Sequence, residues 1–139
     1  MNTGINYLKI TFAAIAGVLG WFLGEINSLF YALIAFVVLD YITGVLLAIC
    51  EKKVSSEIGF KGISKKVMIF ILVGLGNVID QYIIGSGSSL RTMLIMFYLS
   101  NEGISILENA TNIGLPLPQK LKDVLLQVSK TDERTRLSE

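Results

Sequence analysis

The sequence predicts an all-α membrane protein with three to four transmembrane helices and a short amphipathic C-terminal helix. Three observations carry this. Apolar residues make up 53% of the 139-residue chain and charged residues only 17%, against ~25% charged in a soluble globular domain. The charges avoid long stretches: residues 10–24 hold none, 26–50 hold only Asp40, and 67–90 hold only Asp80. These stretches approach the ~20 helical residues needed to cross a bilayer, and the mean hydropathy is +0.65. A water-soluble enzyme is thereby excluded, and a formal net charge of +1 excludes bulk electrostatic binding of nucleic acid.

The first expected span runs from Ile5 to Gly24, with Lys9 able to snorkel at one end and Trp21 near the other interface. Its start could be read as a signal peptide ending in Ala14-Ile15-Ala16. The apolar run continues past that point through Trp21 and Phe22, so the segment reads as an uncleaved anchor. The second span, Ser28 to Cys50, contains thirteen Leu, Ile, Phe or Val residues. They favour insertion by ~4–8 kcal/mol, against ~2.5–3.5 for a charged Asp40. The third, Val67 to Ile84, has eleven such residues and places Asp80 near its end.

The fourth, Leu90 to Ala110, has eight, worth ~2.4–4.8 kcal/mol, which an ionised Glu102 largely cancels. It needs partners, or it lies at the interface. Tyr98, Glu102, Ser105 and Asn109 recur at helical spacing and form one polar stripe. Residues 51–66, EKKVSSEIGFKGISKK, read as a basic loop whose five lysines Lys52, Lys53, Lys61, Lys65 and Lys66 place it in the cytoplasm. The loops near Glu25 and at 85–89 carry no lysine and suit the far side. Four spans would put both termini inside, and three with a surface-lying fourth helix would put the C-terminus outside.

Pro116 and Pro118 end the last apolar segment, after which Leu121, Val124, Leu125 and Val128 trace one face of a short amphipathic helix. Residues 1–112 are expected to form the transmembrane domain, and 113–139 a cytoplasmic amphipathic helix with a solvated, mobile tail.

The candidate functional residues are few. There is no histidine and one cysteine, Cys50, so no metal, cofactor or catalytic constellation is expected, and the chain is not read as an enzyme. Charges at membrane depth by default face a bundle interior or water. On that ground Asp40, Glu102, Ser105 and Asn109 are the candidate interior or pore-lining residues. Asp80, with Asn77 and Gln81, reads as a polar helix end near headgroups; Arg91 and Glu108 read as interfacial anchors. Small residues at packing spacing, Ala16, Gly20 and Gly24 in the first span and Gly44 and Ala48 in the second, are candidate helix contacts.

Four segments in order carry a resemblance: LDYITGVLLA at 39–48, SSEIGFKGISKK at 55–66, NEGISILENA at 101–110 and GLPLPQKLK at 114–122. Over residues 30–125 the chain resembles the toxin-secretion and phage-lysis holin family. The resemblance implies a small multi-pass protein of the bacterial cytoplasmic membrane that accumulates, forms homo-oligomers and permeabilises the bilayer. An endolysin or a toxin is then the released cargo, and an antiholin a partner. The motif positions that carry over are Asp40, Gly44, Gly59, Gly62, Lys65, Lys66, Glu102, Ser105, Glu108, Gly114, Pro116 and Pro118. The segment before residue 30 carries none. Rival readings are a small four-span transporter or channel whose carboxyl binds a cation, an antiholin, and a membrane anchor.

Overall fold

Local capping signals set the helix boundaries. The computed structural model describes residues 2–127 and, among them, contains helices and no strand. Helix α1 spans Asn2–Leu23. It stops at Gly24, whose φ of 81° is left-handed backbone that favours glycine. Asn27 then caps α2, Ser28–Cys50, by accepting the Phe30 N–H at 3.0 Å. A five-residue connector, 51–55, turns at Lys52 with φ 56°, and Ser55 caps α3, Ser56–Val78, with Glu57 in its first turn.

The third helix therefore starts eleven residues before the expected Val67. The basic loop is a correction to the sequence reading: Lys52 and Lys53 lie in the connector, but Lys61, Lys65 and Lys66 stand on α3. Lysine is a good helix former, and Ser55 followed by Glu57 is a helix start that a charge count overlooks. α3 continues through a π-helical turn, Ile79–Ile84, to Gly85. The combined 29-residue helix is about 44 Å long at ~1.5 Å per residue. It exceeds the ~30 Å hydrocarbon core, which leaves its lysine-bearing end room in the headgroup region.

α4 runs from Ser89 to Ile113, and a final helix, α5, occupies residues 119–127. By length and composition three helices can cross a membrane: Thr3–Leu23, Ser28–Cys50 and Ser56–Ile84. α4 is long enough to do so but too polar.

α2, α3 and α4 pack around Phe30, Leu33, Val37, Ile69, Val73 and Ile95. α2 and α4 run in the same direction and α3 against both: Arg91 lies over the Phe30 ring at one end, and Asn109 meets Thr43 at the other. α1 joins this bundle only through its last turn. Phe22 fills the space above Gly74, where any Cβ would lie 2.1 Å from its ring. Farther back, α1 is exposed throughout, with Phe12 74% accessible. That surface is apolar, so its neighbours are lipid or another protein helix. In the C-terminal helix, Leu125 is half-buried while Leu121 and Val124 are exposed; Val128 and the expected tail lie outside the described residues.

Candidate functional site

One buried cluster joins all three bundle helices. Lys66 of α3 donates through Nζ to Asp40 Oδ2 of α2 and to Glu102 Oε2 of α4. The lysine side chain is 17% exposed and each carboxylate 10%. Asn109 Nδ2 donates to Asp40 Oδ1 at 3.3 Å and to Thr43 Oγ1 at 3.0 Å. Thr43 Oγ1 in turn donates to the Asp40 carbonyl at 3.1 Å. One ammonium thus faces two carboxylates in a site where an unpaired charge would cost several kcal/mol.

Sequence reasoning named Asp40, Glu102 and Asn109 but missed the cation they share. Hairpin geometry could have found it. Asp40 lies thirteen residues before Lys53 and Lys66 thirteen after it, so an antiparallel α2–α3 hairpin brings the two to one height. Lys66 and Glu102 are likewise each eighteen residues from Ile84. Assigning Lys66 to a loop concealed the pairing.

The structure also separates two faces of α4 that the sequence reading merged. Glu102 is buried and Asn109 half-buried against α2, whereas Asn101, Glu108 and Asn112 point outward, with half-buried Ser105 between the two faces. Positions 101, 105, 108 and 112 recur at four, three and four and form an outward polar stripe on one side of the helix. Glu108, read as an interfacial anchor, belongs to it.

At the opposite end of the bundle the polar groups are closed on one another. Arg91, read as an interfacial anchor, is instead 2% exposed. Its Nε donates to the Leu23 carbonyl at 2.7 Å and its Nη2 to the Glu25 carbonyl. Asp80, fully buried, accepts the Leu90 and Arg91 backbone N–H groups at 3.1 and 2.8 Å and so caps α4 from outside. Asn77 Nδ2 donates to the Trp21 and Phe22 carbonyls at 3.3 and 3.1 Å. Burial rather than headgroup exposure sets these positions, because each polar group completes a helix terminus of a neighbouring segment. Above them Trp21 Nε1 donates to the Tyr82 hydroxyl at 2.9 Å, both rings being exposed. This aromatic pair suits an interfacial belt.

The expected packing residues divide. Gly44 lies against α4, its position 3.8 Å from Asn109 Nδ2 when a Cβ is added, and Ala48 is half-buried. Ala16 is exposed and Gly20 faces open space, so the α1 ridge touches nothing within the chain. Gly24 is a correction: it lies beyond the end of α1, and a Cβ there would lie 2.6 Å from Asn77 Oδ1. Its small size serves the turn, not a helix ridge.

Comparison with known proteins agrees with a multi-pass membrane protein. The chain is 43% identical over 119 residues to an uncharacterised protein of Listeria innocua, covering 86% of this chain and 84% of the relative. It is 36% identical over 129 residues to an uncharacterised 14.9 kDa protein of Clostridium perfringens, covering 93% and 98%. It is also 34% identical over 113 residues to a probable holin of Bacillus phage phi105, covering 81% and 82%. No solved structure matches. A family model described as the bacteriophage holin family matches residues 17–130. With three helices able to cross a bilayer and most of its length inside that match, the chain is a multi-pass membrane protein and belongs to the bacteriophage holin family.

Proposed function

We propose that this chain is a holin of the bacterial cytoplasmic membrane, where it accumulates, assembles with further copies of itself and permeabilises the bilayer so that an endolysin or another protein cargo crosses it. The observation that carries the reading is the outward stripe Asn101, Ser105, Glu108 and Asn112 on a helix of a holin-family bundle. Facing lipid, that stripe is unfavourable; facing water between several copies, it is satisfied. A single bundle is filled by its own apolar core and has no room for a channel, so the water-facing state requires assembly. α4 then crosses the membrane beside α2, its inward Glu102 paired with Lys66 and its outward Glu108 hydrated.

The buried triad favours this reading over a small transporter. Asp40 and Glu102 already share an ammonium partner, which leaves neither as a vacant carboxylate for a transported cation. Inducible expression in a bacterium tests the proposal, with membrane potential followed alongside a co-expressed cytoplasmic endolysin. Abrupt depolarisation, followed by lysis only when the endolysin is present, is the expected result. Saturable, substrate-dependent flux would replace the proposal with a transporter. Unimpaired growth at high membrane levels would replace it with an antiholin or an anchor.

A further inference from the structure

A cleft of about 380 Å³ opens at the end of the bundle away from Lys66, lined by Trp21, Gly24, Glu25, Asn77, Gln81 and Tyr82. Three segments build it. Trp21 stands in the last turn of α1 and Glu25 follows the Gly24 turn, while Asn77 comes from α3 and Gln81 and Tyr82 from its π-helical turn.

Three oxygens of this lining are left without donors. Asn77 is 7% exposed, and its Nδ2 is engaged by the Trp21 and Phe22 carbonyls. Its Oδ1 lies against Gly24, 2.6 Å from where a Cβ would stand, and among the described residues no donor reaches it. A buried amide oxygen without a donor is destabilising, and a ligand carrying N–H groups would satisfy it. Gln81 gives its Nε2 to the Gly87 carbonyl at 3.4 Å, which leaves its Oε1. The Glu25 carboxylate is exposed and, among the described residues, forms no salt bridge, because Arg91 reaches the Glu25 carbonyl instead.

Charge and aromatic surface select the class of donor. At this end of the bundle Glu25 and Asp80 carry two negative charges and Arg91 one positive, a balance that favours a cation. The Trp21 and Tyr82 rings, with centroids 6.2 Å apart and planes at 53°, form an exposed corner. An ammonium over such faces gains from the ring quadrupoles. A bare calcium ion would need ~6–8 oxygen ligands, more than one carboxylate and two amide oxygens provide. We propose that the cleft binds a primary ammonium group. Glu25 pairs with its charge, Asn77 Oδ1 and Gln81 Oε1 accept its N–H bonds, and Trp21 and Tyr82 flank its organic stem. An ethanolamine phospholipid and a soluble amine offer the same group. The phospholipid suits the position better, because the cleft lies at two helix ends beside an aromatic pair of the interfacial kind. The site rests on the multi-pass bundle and not on the holin reading.

Trp21, the chain's one tryptophan, reports occupancy. The full chain in dodecyl maltoside near neutral pH is titrated with dihexanoyl-phosphatidylethanolamine, with the matching phosphatidylglycerol and N-acetyl-phosphatidylethanolamine, and with ethanolamine hydrochloride. A saturable change in Trp21 emission with the phosphatidylethanolamine, absent with both lipids that lack an amine, is the expected result. Glu25→Gln should weaken binding about fivefold, the upper range for an exposed ion pair, and Gln81→Leu by a smaller factor, both with unchanged helical content. Tighter binding of the lipid than of free ethanolamine supports the ammonium site and assigns it to headgroups. Equal or tighter binding of free ethanolamine supports it and assigns it to a soluble amine. An equal response to phosphatidylglycerol or to the acetylated lipid would overturn the site, as would no saturable response to either amine. Unaltered affinity in both Glu25→Gln and Gln81→Leu would overturn it as well.

Discussion

Replacing Lys66 by methionine removes the cation shared by Asp40 and Glu102 while keeping an unbranched side chain of similar reach. With both carboxylates 10% exposed, neither can recover full hydration without opening the bundle. Removing one partner from a buried ion pair costs ~3–5 kcal/mol. The site has one escape, which is to take a proton shared between the two carboxyls. That restores its original net charge, at a cost of about 3.7 kcal/mol for an ordinary carboxyl with pKa ~4.3 near pH 7. The penalty is therefore bounded at about 3–4 kcal/mol, and the closed bundle should lose between roughly 140- and 700-fold in relative population. Titration of the detergent-solubilised protein with sodium dodecyl sulfate, followed by far-ultraviolet circular dichroism, measures this directly. The triple variant Lys66→Met, Asp40→Asn, Glu102→Gln removes every charge at once and should recover most of the loss, since a buried triad replaced as a whole is often close to neutral. Unfolding of Lys66→Met within ~0.5 kcal/mol of the unaltered protein, or a triple variant less stable than the single one, would refute the triad as the clamp between α2, α3 and α4.

Gly74→Leu should detach the last turn of α1, since even a Cβ there would lie 2.1 Å from the Phe22 ring. Emission of Trp21, the chain's one tryptophan, reports it through loss of the Tyr82 contact, and an unchanged spectrum would contradict this packing. Glu108→Lys alters the outward stripe alone, so stability should stay within ~0.5 kcal/mol while lesion onset or ion preference changes; identical leakage would remove Glu108 from the lumen. Gly20 faces open space, so Gly20→Leu should leave the fold intact and reduce cross-linked oligomers, whereas undiminished oligomers would mean that the α1 ridge meets lipid. In a Cys50→Ser background, Ser55→Cys should react with a membrane-impermeant maleimide only after cells are permeabilised, and labelling of intact cells would reverse the topology.

The sequence by itself determined the class of molecule and much of its helix order, because these depend on local quantities. Twenty-residue apolar stretches need bilayer or protein around them, and Asn27 and Cys50 bound α2 where the hydropathy pattern ends. Periodicity also showed that α4 is polar on one side, since residues three and four apart share a face whatever surrounds the helix. It could not decide which side turns inward. The buried Glu102 and the exposed Asn101 are adjacent in sequence, and only the packing of α2 against α4 separates their roles. The lysine that Asp40 and Glu102 share lies 26 and 36 residues from them. Its identity depends on where two hairpins turn, and the early start of α3 moved that turn. Arg91 and Asp80 were likewise misjudged from hydropathy, which assigns a cost to each charge alone, whereas in the folded bundle their neighbours' helix termini supply the hydrogen bonds that make burial possible.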